Sequence, residues 1–133
     1  MAALDTNVLV RYLVEDDVSH SAAAKRLIRS AVRNNETLFV PVTVALELEW
    51  VLRSRFGFAK SEVVLALSRL LSSVELSFGS EAAVEVALAL YQRSAADFSD
   101  CVHVALAHSA GQTPFWTFDK AAAKMTGTRL LRT

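Results

Sequence analysis

The feature that most constrains this chain is the shortness of its apolar runs, two of which stop on an acid. Ala2-Ala3-Leu4 is followed by Asp5, and Phe115-Trp116-Thr117-Phe118 is followed by Asp119. The predicted strands are Ala2–Leu4, Thr37–Val40, Val74–Leu76, Phe115–Phe118 and Arg129–Leu131. Stretches with helical spacing separate them. Parallel strands need such crossover connections, whereas antiparallel ones can be joined by tight turns. The alternation therefore predicts an α/β fold with a mainly parallel sheet covered by helices on both faces.

The helical stretches are better marked. Val8–Val14 is short and apolar. Ser21–Arg33 spaces Ala24, Leu27, Ile28 and Ala31 at helical intervals, with Lys25, Arg26, Arg29 and Arg33 mostly on the other side. Thr43–Phe56 stops at Gly57, a good C-terminal cap. Ser61 is positioned to cap a helix through Leu71, and Ser80 one through Arg93. Asp97 or Ser99 opens a helix that reaches Gly111, and a last short helix is expected over Lys120–Met125.

In a parallel sheet, ligands sit outside the carboxyl ends of the strands. Asp5 and Asp119 both fall there. Each can equally cap the helix that follows it. In Thr43–Phe56, Glu49 has Arg53 four residues later, the favourable order for a surface ion pair, and is expected to be solvated. Glu47 has Trp50 and Val51 at those spacings and Thr43 and Val44 behind it, so no cation is supplied locally. A carboxylate on a largely apolar face is costly unless paired or metal-bound, which makes Glu47 a candidate functional residue. In "DFSDCVHVALAHSAG", Asp97 and Asp100 would both suit a helix N-terminus. Asp100 is the better site candidate, because Val104 and Ala107 follow it on the buried-looking face. Asp97 is a candidate second or outer ligand. Thr6, Asn7 and Thr117 can orient a carboxylate or a water, or simply cap turns.

Several carboxylates at one sheet edge repel one another, and a hard divalent cation relieves that repulsion. Oxygen donors suit Mg²⁺ or Mn²⁺. Zinc fits less well, since His20, His103 and His108 are spread over two helices and read as surface or packing residues. Only His103, one turn after Asp100, is close in sequence to a candidate acid. A metal site made of acids commonly serves phosphoryl chemistry.

Composition narrows the function classes. Net charge is zero, from 14 basic and 14 acidic residues, which argues against a protein that coats nucleic acid. It leaves room for a nucleic-acid enzyme with a local electropositive rim, and ten of the basic residues are Arg, the better phosphate ligand. The length of 133 residues suits one domain spanning 1–133. No apolar run approaches the ~18 residues of a membrane span. No basic-then-apolar leader is seen, and Cys101 is the single cysteine, so a cytoplasmic setting is expected.

Four motifs in order, "LDTNVLVRYL", "VALELEWVL", "DFSDCVHVALAHSAG" and "TFDKA", cover most of the chain. Together they resemble the PIN-domain ribonucleases, specifically the VapC-type toxins of bacterial toxin–antitoxin pairs. The resemblance implies a three-layer α/β/α sandwich around a parallel sheet of about five strands. It implies endonucleolytic cleavage of RNA dependent on Mg²⁺ or Mn²⁺. It assigns the acidic quartet to Asp5, Glu47, Asp100 and Asp119, with Asp5, Asp100 and Asp119 as metal ligands and Asp97 and Thr117 as helpers. It also implies a homodimer held inactive by a small VapB-like antitoxin. Val10, Leu13 and Val14 are expected to extend past the needs of the core and receive a helix of that partner.

Three other classes compete. A phospho-receiver domain needs an Asp after its middle strand, where "SSVELSFGSE" offers Ser77. A haloacid-dehalogenase-like phosphatase needs a second Asp at the position of Asn7. A non-catalytic binding module would leave the acids solvated, which the reading of Glu47 disfavours.

Overall fold

The computed structural model describes residues 2–133. By internal contacts the chain divides into two compact units, the first ending at Glu81 and the second running Ala82–Thr133. Helices alternate with parallel strands, and the fold class is α/β as the sequence implies.

In the first unit, β1 (Ala2–Ala3), β2 (Leu38–Val40) and β3 (Leu76–Phe78) form a parallel sheet in that order. Ala2 lies opposite Leu38, and Leu38 opposite Leu76. The Leu4 N–H donates to the Phe39 carbonyl at 2.9 Å, so the β1 ladder runs up to the residue before Asp5. The third strand lies two residues later than Val74–Leu76. Val74 is 89% exposed, whereas Leu76 and Phe78 are buried, so burial of alternate residues sets where pairing occurs.

The helices of this unit are α1 (Thr6–Leu13), α2 (Val18–Arg33), α3 (Val42–Ser54) and α4 (Lys60–Leu71). Asp17 caps α2 by accepting from the His20 N–H at 3.0 Å. After α3, Gly57 takes a positive φ of 67° and the Phe58 N–H returns to the Leu52 carbonyl at 3.0 Å. Ser61 does not cap α4. The helix starts one residue before it, and Glu62 accepts from the Ala59 N–H at 2.8 Å instead. The core of the unit includes Leu9, Val10, Val40, Leu48, Leu52, Val63 and Leu67, all fully buried.

The second unit holds most of α5 (Glu81–Arg93), then α6 (Phe98–Ser109), β4 (Phe115–Thr117) and β5 (Thr128–Leu130). The two strands pair in parallel, with Phe115 opposite Thr128. All five expected strands are present and every pairing is parallel, but they hydrogen-bond as a three-stranded and a two-stranded sheet. Ser80 precedes α5 with φ of 53°, outside the extended conformation of a capping residue. The stretch Lys120–Met125 tightens to a 3-10 turn over Ala122–Lys124. The Tyr91 and Phe98 rings pack at 5.3 Å between centroids, and Cys101 is buried near Ser94. No described helix is long and apolar enough to cross a membrane.

Candidate active site

The first acidic cluster belongs to the first unit and is organised by Thr6. Asp5 stands where β1 gives way to α1, in extended conformation, and its Oδ1 accepts from the Thr6 N–H at 2.8 Å. The Thr6 side chain is buried, and its hydroxyl donates to Oε1 of Glu47 on α3. One threonine therefore touches both carboxylates, one through its backbone and the other through its side chain. α1 and α3 pack against each other, which fixes the contact between residues 41 apart in sequence. Asp5 caps α1 with one oxygen only, and its Oδ2 makes no hydrogen bond among the described residues. Asn7, next along α1, is exposed and borders a cavity of about 350 Å³ with Val8, Arg11 and His20.

Two expectations about α3 are corrected. Glu47 is exposed, so it does not sit unpaired on a buried apolar face. Glu49 is the buried acid, at 4% exposure, and its Oε2 accepts from Arg53 Nε at 2.8 Å. The expected ion pair forms, but it holds a carboxylate inside the protein rather than in solvent. No cation stands near Glu47 along its own helix, and its partner is the Thr6 hydroxyl on another helix.

The second cluster belongs to the second unit. Asp97 is the N-cap residue of α6 but makes no capping hydrogen bond through its side chain. Asp100 lies in the first turn of that helix, half-buried. Its carboxyl is raised above the usual Asp range, first by burial, then by the negative charges of Asp119 and Asp97, with His103 opposing. Asp119 follows β4, and its Oδ1 accepts from the Ala122 N–H at 2.9 Å, starting the 3-10 turn. Thr117 Oγ1 accepts from the Asp119 N–H at 3.0 Å, so its hydroxyl shapes the turn that presents Asp119. The histidines are surface residues. His20 pairs with Asp17, His103 stacks near Phe115 with centroids 6.4 Å apart, and His108 is exposed at the end of α6.

The donor set is chemically suited to a hard divalent cation. Burial, and then the charges of Asp119 and Asp97, disfavour the charged form of Asp100, and carboxylate oxygens are the ligands such ions prefer. Among the described residues, no three acidic, histidine or cysteine side chains stand as a ready-made metal cage.

A comparison with curated proteins returns no match. The family model for the PIN domain matches residues 2–127, a span that includes both acidic clusters and all four motifs. The chain belongs to the PIN-domain family, a nuclease-type fold.

Proposed function

We propose that this protein is an endoribonuclease dependent on Mg²⁺ or Mn²⁺, acting as the toxin of a toxin–antitoxin pair. The observation that carries the chemistry is the raised carboxyl of Asp100, which is partly buried and faces two further acids, Asp119 and Asp97. A carboxyl perturbed by burial and by neighbouring acids is a frequent mark of a functional site. Membership of the PIN family supports hydrolysis of a nucleic acid, and the resemblance of the four motifs to VapC-type toxins supports RNA.

In this reading residues 1–133 form one nuclease domain, and Asp5, Asp100 and Asp119 would hold the ion, which when bound would supply Lewis-acid activation of water and charge stabilisation at the phosphodiester. Glu47 takes up the proton of the attacking water at Oε2, the oxygen not engaged by Thr6. Thr6 fixes the rotamer of Glu47 and the capping geometry of Asp5 together. Thr117 holds the turn that carries Asp119. Asp97 adds negative charge beside Asp100 and is a supporting ligand.

The test is cleavage of RNA by the purified protein. Activity should vanish in EDTA and return with Mg²⁺ or Mn²⁺. Equal cleavage in excess chelator sinks the metal-dependent reading. Growth arrest on induced expression, relieved by a small reading frame from the same locus, tests the toxin role and the antitoxin partner.

A further inference from the structure

α2 carries Lys25, Arg26, Arg29 and Arg33 and no acidic residue, in a chain whose net charge is zero. Lys25, Arg29 and Arg33 recur every four residues, so they form one row along the helix with about 6 Å of rise between neighbours. Like charges at this spacing destabilise an isolated helix, so the row costs stability unless something anionic meets it. The ammonium of Lys25 is engaged by Glu15. Arg26, Arg29 and Arg33 make no ion pair among the described residues.

The row borders two cavities that share Lys25 and Arg29. One, of about 350 Å³, adds Arg26 and one acid, Glu15, the partner of Lys25. The other, of about 640 Å³, adds Arg33, Tyr12, Leu13 and Val32, with Glu75 as its one acid. Together they make a furrow along a helix about 24 Å long. Tyr12 and Leu13 are the last turn of α1, the helix whose N-cap is Asp5. The furrow therefore begins one helix of eight residues, about 12 Å, from the first acid of the candidate site.

We propose that this furrow is a track for single-stranded RNA, with Arg26, Arg29 and Arg33 on successive phosphates and Tyr12 stacking against a base. The inference rests on the ribonuclease reading and assigns its substrate a second contact outside the carboxylates. A cationic groove combined with an aromatic side chain is the general solution for holding a single strand without reading its sequence. Charge recurring turn after turn over two joined cavities suits an extended polyanion better than a compact acidic peptide.

The experiment uses the full chain in EDTA, where the RNA stays intact, and a fluorescently labelled single-stranded 12-mer titrated at several salt concentrations. The Arg29→Gln/Arg33→Gln double variant should bind about tenfold more weakly, and the slope of log affinity against log salt should fall by roughly 0.7 per arginine lost. Arg29→Lys/Arg33→Lys should keep most of the slope. With Mn²⁺ present, the double Gln variant should show a higher KM on the 12-mer and an unchanged kcat on a dinucleotide, which is too short to reach the furrow. Circular dichroism checks folding, which these exposed positions should not disturb.

A folded double variant with wild-type affinity and salt slope overturns the proposal while leaving the nuclease reading intact. So does a wild-type protein that cuts RNA but binds it without salt dependence. A glutamate-rich peptide that needs Arg29 and Arg33 for binding, when RNA does not, makes the furrow a protein-docking surface instead. A wild-type protein that neither binds nor cuts RNA removes the nuclease reading and the track together.

Discussion

The carboxyl of Asp100 is pushed up because the folded protein partly buries it beside two other acids, and this has a definite sign in stability. An acid with a raised folded pKa binds protons more tightly in the folded state. Its contribution to stability is therefore most favourable at low pH and is lost as pH rises from the unfolded value, about 3.9, through the folded one. At neutral pH without metal, Asp100→Asn should melt a few degrees above the wild type. The gap should close below about pH 3.9, where the Asp100 carboxyl is protonated in the folded and the unfolded chain alike. With Mg²⁺, the same variant should lose activity by about a hundredfold or more. Thermal melts at two pH values and a cleavage assay check both halves, and a lower Tm at neutral pH in EDTA would refute the repulsion argument. Asp97→Asn should cost less activity, since Asp97 is exposed and only one of the three contributors to that shift. Glu47 and Glu49 should separate in the opposite manner. Glu47→Gln keeps an oxygen for the Thr6 hydroxyl and should fold normally but lose catalysis. Glu49→Gln weakens a pair with a buried acid and a half-exposed arginine, and should cost about 1–2 kcal/mol while sparing activity in the folded protein. An active Glu47→Gln with an inactive Glu49→Gln would reverse the assignment.

At the level of elements, α6 ends by a device that substitution can test. Gly111 has φ of 70°, the Gln112 N–H returns to the Ala107 carbonyl at 2.9 Å, and the Gly111 N–H reaches His108 at 3.0 Å. These are the two bonds of a Schellman cap. A Cβ at Gly111 would meet open space, so Gly111→Ala should cost only the backbone penalty of a left-handed residue, about 1 kcal/mol. A larger loss by denaturant titration would mean the loop has a packing role beyond the cap. The same scale shows which signals were legible in the sequence. Each expected strand recurs within two residues, because short apolar runs set between helical stretches leave few alternatives. The sequence offers Thr6 and Thr117 either as groups that orient a carboxylate or as turn caps; the Thr6 hydroxyl meets Glu47, and Thr117 closes the turn before Asp119. Neither Ser61 nor Ser80 caps its helix, since a serine near a helix start is a common but degenerate signal and Glu62 serves α4 instead. The burial of Glu49 was illegible for a stronger reason. Along α3, apolar residues occupy most of the circumference: Val44, Ala45, Leu46, Leu48, Trp50, Val51 and Leu52. Sequence periodicity then cannot say which side faces solvent, and Trp50 ends up half exposed while Glu49 is enclosed. The exposure of Glu47 does not support the face argument for it. Its contact with Thr6 depends on the packing of α1 against α3, which no local pattern encodes.

For the molecule as a whole, the proposed function raises the question of how such a ribonuclease would be kept from its own cell's RNA. Five acids in two clusters, Asp5 and Glu47 in one and Asp97, Asp100 and Asp119 in the other, attract cations of any kind when no metal is bound. An arginine can pair with a carboxylate bidentately and would take the place of a divalent ion. The apolar residues offered to a partner helix are fewer than the sequence implies. Val10 is 1% exposed and belongs to the core, whereas Leu13 and Val14 are only half-buried. Leu13 also borders the α2 furrow beside Tyr12 and Val32, so a helix seated there would cover the proposed RNA track. The inhibitory partner should therefore be a short chain with an apolar helix and a tail containing Arg or Lys. Its helix should compete with RNA, and its tail should compete with Mg²⁺. Co-expression with a small reading frame of the same locus, followed by pull-down, should recover an inactive complex. Titrating Mg²⁺ into that complex should weaken it, and deleting the basic tail should abolish the Mg²⁺ effect while leaving competition with the RNA 12-mer. Recovery of active protein without a partner would count against an antitoxin from that locus. A complex indifferent to both Mg²⁺ and the tail would keep the antitoxin and discard the pairing of its cations with these acids.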